Sequence, residues 1–196
     1  MSYGRWLATY PLLTKAVTTG GIFGVGDVIA QSLFRDDDAE FSFVRLGLTS
    51  LYGLGFQGPL LHVWFARLEA LWPVTSARTI VKKMLVQQFA FAPISIMAFN
   101  SYAGCIPTPK NEKQTLPERF NSGVEKAVER APSIWMAGNY FWVPMNVLTF
   151  GFTPLPLRPL VSSSGNIVWS SYLSYRANET NVAVVASVAP ECTLAA

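Results

Sequence analysis

Long apolar stretches alternate with short charged ones along this chain. No Asp, Glu, Lys or Arg occurs in residues 46–66, between Arg45 and Arg67, in 84–109, between Lys83 and Lys110, or in 131–157, between Arg130 and Arg158. Each stretch reaches the roughly 20 apolar residues a helix needs to cross a bilayer, where lipid offers the backbone no hydrogen-bond partner. A further stretch, 16–34, is broken only by Asp27. A carboxylate at that depth costs about 2.5–3.5 kcal/mol on insertion scales. The neighbouring Val25, Val28, Ile29, Leu33 and Phe34 offset it, so this segment is also expected to span. The gap 159–175 ends at Arg176 and sits at the lower limit of span length. The pattern predicts an all-α integral membrane bundle of four transmembrane helices, near 14–34, 42–65, 82–106 and 134–156. A C-terminal helix over 158–176 should follow. Residues 1–178 then form one transmembrane helical domain, and 179–196, small and weakly patterned, a disordered tail.

Between the spans, loops are short except 107–132, expected to be exposed with an amphipathic helix near 117–131 lying on the membrane surface. Phe120, Val124, Ala127, Val128 and Ala131 share one face there. The acidic run Asp36, Asp37, Asp38 and Glu40 marks the first turn. Trp6, Tyr10, Trp64, Trp72, Tyr102 and Trp135 fall near span ends, as an interfacial aromatic belt requires. The N-terminus lacks the pattern of a cleaved signal or transit peptide, so the first helix is expected to remain. Basic residues divide eight to seven between the two sides, which leaves orientation open.

Composition narrows the class. Charged residues make up 14% and apolar residues 51%, with a mean hydropathy of +0.29; soluble domains carry about 25% charge. Cys105 and Cys192 are the only cysteines, too few for a disulfide framework or a metal set. A net charge of +3 with dispersed basic residues gives no nucleic-acid footprint.

Polar residues inside the spans are periodic. Gly20, Gly24, Asp27 and Gln31 share a face of the first span. Gly47, Gly55, Gly58 and His62 do so in the second, Gln88 and Ser95 in the third, and Asn139, Asn146, Thr149 and Thr153 in the fourth. Ser163, Asn166, Ser170 and Ser174 line the last stretch. Two accounts stay open. Small and polar residues let helices approach and bond, or the stripes line a watered path. Asp27 is expected to point inward toward His62, Arg45 or Lys83, since intramembrane acids face the interior. Pro59, Pro93, Pro144, Pro154, Pro156 and Pro159 free backbone carbonyls that lipid cannot satisfy.

No enzyme is expected. Gly24-Val25-Gly26-Asp27 imitates an intramembrane aspartyl protease box, but that chemistry needs a second carboxylate and none is placed to supply it. Ser164-Gly165 with the lone His62 is too common a combination to indicate a serine protease. Phosphate-loop, dinucleotide and metal-ligand spacings are missing, and no cofactor is implied.

Ordered blocks over residues 6 to about 176 resemble the Mpv-seventeen and twenty-two-kilodalton peroxisomal membrane protein family. They comprise Trp6, Tyr10, Pro11 and Thr14; Gly24-Val25-Gly26-Asp27 and Gln31; Gly55-Phe56, Gly58-Pro59, His62 and Trp64; Lys82-Lys83-Met84-Leu85, Gln88 and Ala92-Pro93. Asn139-Tyr140, Trp142, Phe150, Pro154 and Arg158, then Trp169 and Ser171-Tyr172-Leu173-Ser174, complete the set. There are departures. Trp142-Val143-Pro144 stands where the family has Trp-Pro, Asn146 and Thr149 replace its Gln and Asn, and Gln87 replaces an acid. The resemblance implies a non-enzymatic four-span protein of the mitochondrial inner membrane or the peroxisomal membrane, with a pore for ions or small metabolites. The bilayer, small solutes or ions, and further copies of the chain are the implied partners; nucleic acid is not. A non-conducting structural or adaptor protein is the alternative.

Overall fold

The computed structural model describes residues 3–33, 40–73, 76–108 and 111–169. Among these residues every regular element is helical and no strand occurs. Helix α1 (Tyr3–Thr9) leads through Tyr10 into α2 (Pro11–Leu33). Helices α3 (43–71) and α4 (77–105) each run without a break through one turn of π-helix, Gly53–Gln57 in α3 and Gln87–Phe91 in α4. Then come α5 (Leu116–Gly151), a 3₁₀ turn at Leu155–Leu157, and α6 (158–169).

Local sequence fixes these boundaries. The Ser42 hydroxyl accepts the Arg45 N–H at the start of α3, and Ser76 with Thr79 forms a capping box on α4. Thr115 and Glu118 form another on α5, where the Thr115 N–H and hydroxyl hold the Glu118 carboxyl below its usual range. Both π turns end two residues before a proline. The Gly58 N–H reaches the Gly53 carbonyl and the Ala92 N–H the Gln87 carbonyl; Pro59 and Pro93 follow. A proline ring inside an α-helix collides with the carbonyl four residues back, and the wider turn moves that carbonyl aside.

Three expectations need correction. The separate surface helix at 117–131 and the span at 134–156 are one helix, since α5 continues through Pro132 and Pro144. It packs on α4 on both sides of Pro132: Gly104 lies against Gly123, and the Trp135 indole meets α4 at Gln88. Helix α5 also ends early, at Gly151, just before Pro154. Among the described residues a single unbroken α-helix, Pro11–Leu33, is long and apolar enough to cross a membrane by length and composition. The count of four transmembrane helices is therefore not shown. Residues 36–38, 170–176 and the tail 179–196 lie outside the described residues.

Helix α2 runs antiparallel to α3, and α4 antiparallel to α5. Glycine permits the close approach on α2 and α3, since a Cβ on Gly58 would stand 2.7 Å from the Ala16 Cα. Helix α6 runs back along α5, with Gly165 against Trp142 and Trp169 against Gly138, and its Ser163 meets Thr19 of α2. Leu61, Phe65, Leu68, Phe91 and Phe150 form an apolar core where the C-terminal ends of α3 and α5 meet α4.

The sidedness of α2 is inverted relative to a soluble helix. Its buried residues are Lys15, Ala16, Thr19, Gly20, Gly24, Gly26, Asp27, Ala30 and Gln31, whereas Leu12, Leu13, Val17, Val25, Val28 and Leu33 face outward. Phe43, Val44, Leu51, Phe56 and Val63 continue the exposed apolar surface along α3. An outward apolar surface of this kind matches lipid contact.

Candidate functional site

The polar interior has three levels. At the first, α2 meets the start of α3. Asp27 is buried, and of the three partners its sequence position left open, Arg45 is the one in place. Arg45 Nε donates to Asp27 Oδ1 at 2.9 Å, and Gln31 Nε2 donates to Oδ2 at 2.6 Å. Gln31 also ties the helices together, accepting the Ser42 N–H at 2.7 Å. Gly24 and Gly26 are also on the buried side of α2, and a Cβ on Gly24 would stand 2.6 Å from the Ser50 hydroxyl of α3.

At the middle level, Lys15 Nζ lies 3.0 Å from His62 Nδ1, joining α2 to α3. Thr19 and Ser163 hydroxyls meet at 3.3 Å. Gln57 Nε2 donates to Ser95 Oγ, and the Gln57 carbonyl oxygen accepts from the Tyr52 hydroxyl, both at 3.4 Å. The Trp64 indole N–H donates to Gln87 Oε1. Trp135 Nε1 donates to the Gln88 carbonyl at 2.8 Å. In the π register that carbonyl would have been bonded by residue 93, and Pro93 has no N–H to give. Among the described residues Gln88 Oε1 and Thr14 Oγ1 are buried with no hydrogen-bond partner; such atoms call for water.

At the third level, Glu69 Oε2 accepts from Lys83 Nζ and from Arg158 Nη1, each at 2.6 Å. Lys83 is 1% exposed and Arg158 4%. Arg158 also donates through Nε to the Thr153 carbonyl and lies over the Phe150 ring. Its neighbour Pro154 caps the 3₁₀ turn that delivers it.

Some expected stripes are broken. Gly47 and Gly55 are exposed, while Gly58 is buried and His62 half-buried. The π turn explains this. One extra residue at 53–57 turns the rest of α3 by about 100° relative to an unbroken helix, so residues before and after it no longer share a face. In α5, Asn146 and Thr149 are buried, whereas Asn139 is half-buried and bonds back to the Trp135 carbonyl. Thr153 lies beyond the end of α5, where its hydroxyl donates to the Leu148 carbonyl. Ser170 and Ser174 lie outside the described residues.

The family-motif residues divide by role. Pro11 opens α2, Trp6 is exposed on α1, and Pro59 and Pro93 follow the π turns. Trp142 fills the space over Gly165, and Trp169 stacks on Phe141. Sequence reasoning missed Lys15 and Glu69, treated as charges at span ends. The signal was available for Glu69, the only acid among Arg67, Arg78, Lys82 and Lys83. Among the described residues no group of three or more His, Cys, Asp or Glu could hold a metal ion. Ser164 is exposed on α6, and His62 pairs with Lys15.

Residues 118–174 match the model of the Mpv17 / PMP22 family. PXMP2/4 family protein 2 of Dictyostelium discoideum is 33% identical, covering 86% of each chain. Mitochondrial inner membrane protein Mpv17 of Danio rerio is 32% identical over 91% of this chain and 96% of its own length. The protein of the same name from Homo sapiens is 31% identical over 90% and 96%. No solved structure matches.

Proposed function

This chain belongs to the Mpv17 / PMP22 family, and from that premise we propose that it is a multi-pass protein of the mitochondrial inner membrane forming a channel-like pore for ions or small metabolites. The relatives named for that membrane support the location. The peroxisomal membrane is the alternative address. The outward-facing apolar residues of α2 and α3 support contact with lipid.

One observation carries the pore reading: Lys15, Asp27, Lys83 and Arg158 are each more than nine-tenths buried between helices. Helix contacts need only small residues, hydroxyls and amides. An ionisable group costs about 2.5–3.5 kcal/mol at the membrane centre on insertion scales and is by default functional. The unpartnered Gln88 Oε1 and Thr14 Oγ1 add demand for water. In the compact single chain each ionisable group is bonded to another side chain, Lys15 to His62, Asp27 to Arg45 and Gln31, and Lys83 and Arg158 to Glu69, the arrangement of a closed path; several copies could assemble around a wider one.

The same direct pairing favours the second reading, a non-conducting structural or adaptor protein. Purified protein in a planar bilayer separates the two. The pore reading expects conductance, aqueous labelling of cysteines placed along 20–31, and altered ion preference in a folded Asp27→Asn variant. Conductance with unchanged selectivity would remove Asp27 from the path. Absence of conductance, with cysteines that do not label, would leave the adaptor reading.

A further inference from the structure

Between α3, α4 and the first turns of α5, a groove of about 700 Å³ is lined by Tyr52, Phe56, Met97, Tyr102, Cys105 and Phe120, among others. That volume falls in the range of small-molecule sites. The lining is apolar for a specific reason. The Tyr102 hydroxyl donates to the Leu48 carbonyl and the Tyr52 hydroxyl to Gln57, so both tyrosines show the groove their rings.

A charged side chain, Arg45, lies beyond the groove's lining toward the start of α3. Arg45 precedes Tyr52 by two helical turns, so both lie on one face of the regular first part of α3. Asp27 engages Arg45 only through Nε. The side chain is 45% exposed, and its two Nη nitrogens make no hydrogen bond among the described residues. Arg45 also lies in the first turn of α3, where the helix end favours an anion. From Arg45 to Phe56 the helix rises about 16 Å along its axis.

We propose that this groove holds a bilayer phospholipid, with its phosphate on the Nη fork of Arg45 and one acyl chain along Tyr52, Phe56 and Met97. A planar guanidinium with two free N–H donors is matched to phosphate oxygens. The inference rests on the membrane location proposed above and not on conduction. It also gives Arg45 two tasks: Nε fixes Asp27 inside, and the fork anchors lipid outside.

Gly55 provides the test. It lines the groove, and a Cβ there would meet nothing within 4 Å, so Gly55→Leu fills the groove without disturbing α2. The full chain is extracted from its membrane in mild detergent and weighed intact by native mass spectrometry. The wild type should carry one phospholipid per chain. Gly55→Leu should lose it while melting at the same temperature. Arg45→Lys, which keeps a cation for Asp27 but lacks the fork, should retain phospholipid about tenfold less well. A lipid-free wild type, or undiminished retention in Gly55→Leu, would overturn the proposal. A dimer that Gly55→Leu dissociates would overturn it in favour of a second copy in the groove. Protein recovered in the aqueous phase without detergent would bring down the membrane location itself, and this site with it.

Discussion

Replacing Glu69 by Gln should damage the bundle more than removing either of the cations it serves. Lys83 Nζ and Arg158 Nη1 each stand 2.6 Å from the same oxygen, Glu69 Oε2. The two nitrogens are thus no more than about 5 Å apart, and with the carboxylate neutralised they repel by about 3 kcal/mol at an effective dielectric constant of 20. Neither can relax into solvent, since their side chains are 2% and 5% exposed. Breaking a buried pair in this way typically costs about 3–5 kcal/mol. Lys83→Met behaves differently, because it leaves a one-to-one pair between Glu69 and Arg158 and removes the excess charge. The assay is thermal unfolding of the purified protein in detergent, followed by tryptophan fluorescence, on Glu69→Gln, Lys83→Met and the double variant. The expected order is wild type, then Lys83→Met, then Glu69→Gln, with the double variant more stable than Glu69→Gln alone. If Glu69→Gln melts at or above Lys83→Met, or the second substitution restores nothing, the claim that Glu69 neutralises two trapped cations is wrong.

Glycines of α3 should respond by position: Gly58→Ala, whose Cβ meets the Ala16 backbone, should cost about 1–3 kcal/mol as overpacking does. Gly55→Ala, with open space, should be neutral or gain about 0.4–1 kcal/mol; both are read from melting curves. Trp135→Phe removes the donor that serves the Gln88 carbonyl, and should cost about 1–3 kcal/mol beyond lost packing. That cost should shrink in a Pro93→Ala background, where a backbone N–H returns; equal costs in both backgrounds would dissociate Trp135 from the proline. Glu118 is held below its usual carboxylate range by Thr115. Its contribution to the start of α5 should be complete above about pH 4.3, the unfolded value, and fade as pH falls through the lower folded value. Hydrogen exchange at residues 116–120 should report that fading in the wild type and not in Glu118→Gln.

Helix content was legible because it rests on a strong signal, long uncharged runs in which only an α-helix satisfies the backbone. The buried side of α2 was legible for a related reason. Gly20, Gly24, Asp27 and Gln31 share a period, and no interruption occurs between Pro11 and Leu33 to disturb it. The corresponding stripe of α3 was misread because phase does not survive a π turn. Pro59 and Pro93 marked where backbone bonds would be missing, but not that an extra residue would be accommodated upstream of each. The length of α5 was hidden by its own composition. Charges up to Arg130 and Pro132 read as a boundary, and only the contact with α4 carries the helix through. Lys15 and Glu69 escaped notice because a charge near a span end looks solvated until its partners, here His62, Lys83 and Arg158, are seen.

The inverted sidedness of α2 bears on how this protein should respond to temperature. In a water-soluble domain, unfolding wets apolar surface, which raises the heat capacity and bends the stability curve into a dome with a cold-denaturation limb. Here the apolar residues already face outward, and the contacts that part first are glycines, hydroxyls, amides and ion pairs. Separating α2 from α3 within a micelle or bilayer therefore moves little hydrocarbon into water. The calorimetric step should be small, the stability curve nearly straight, and cooling should strengthen the bundle where it would loosen a soluble one.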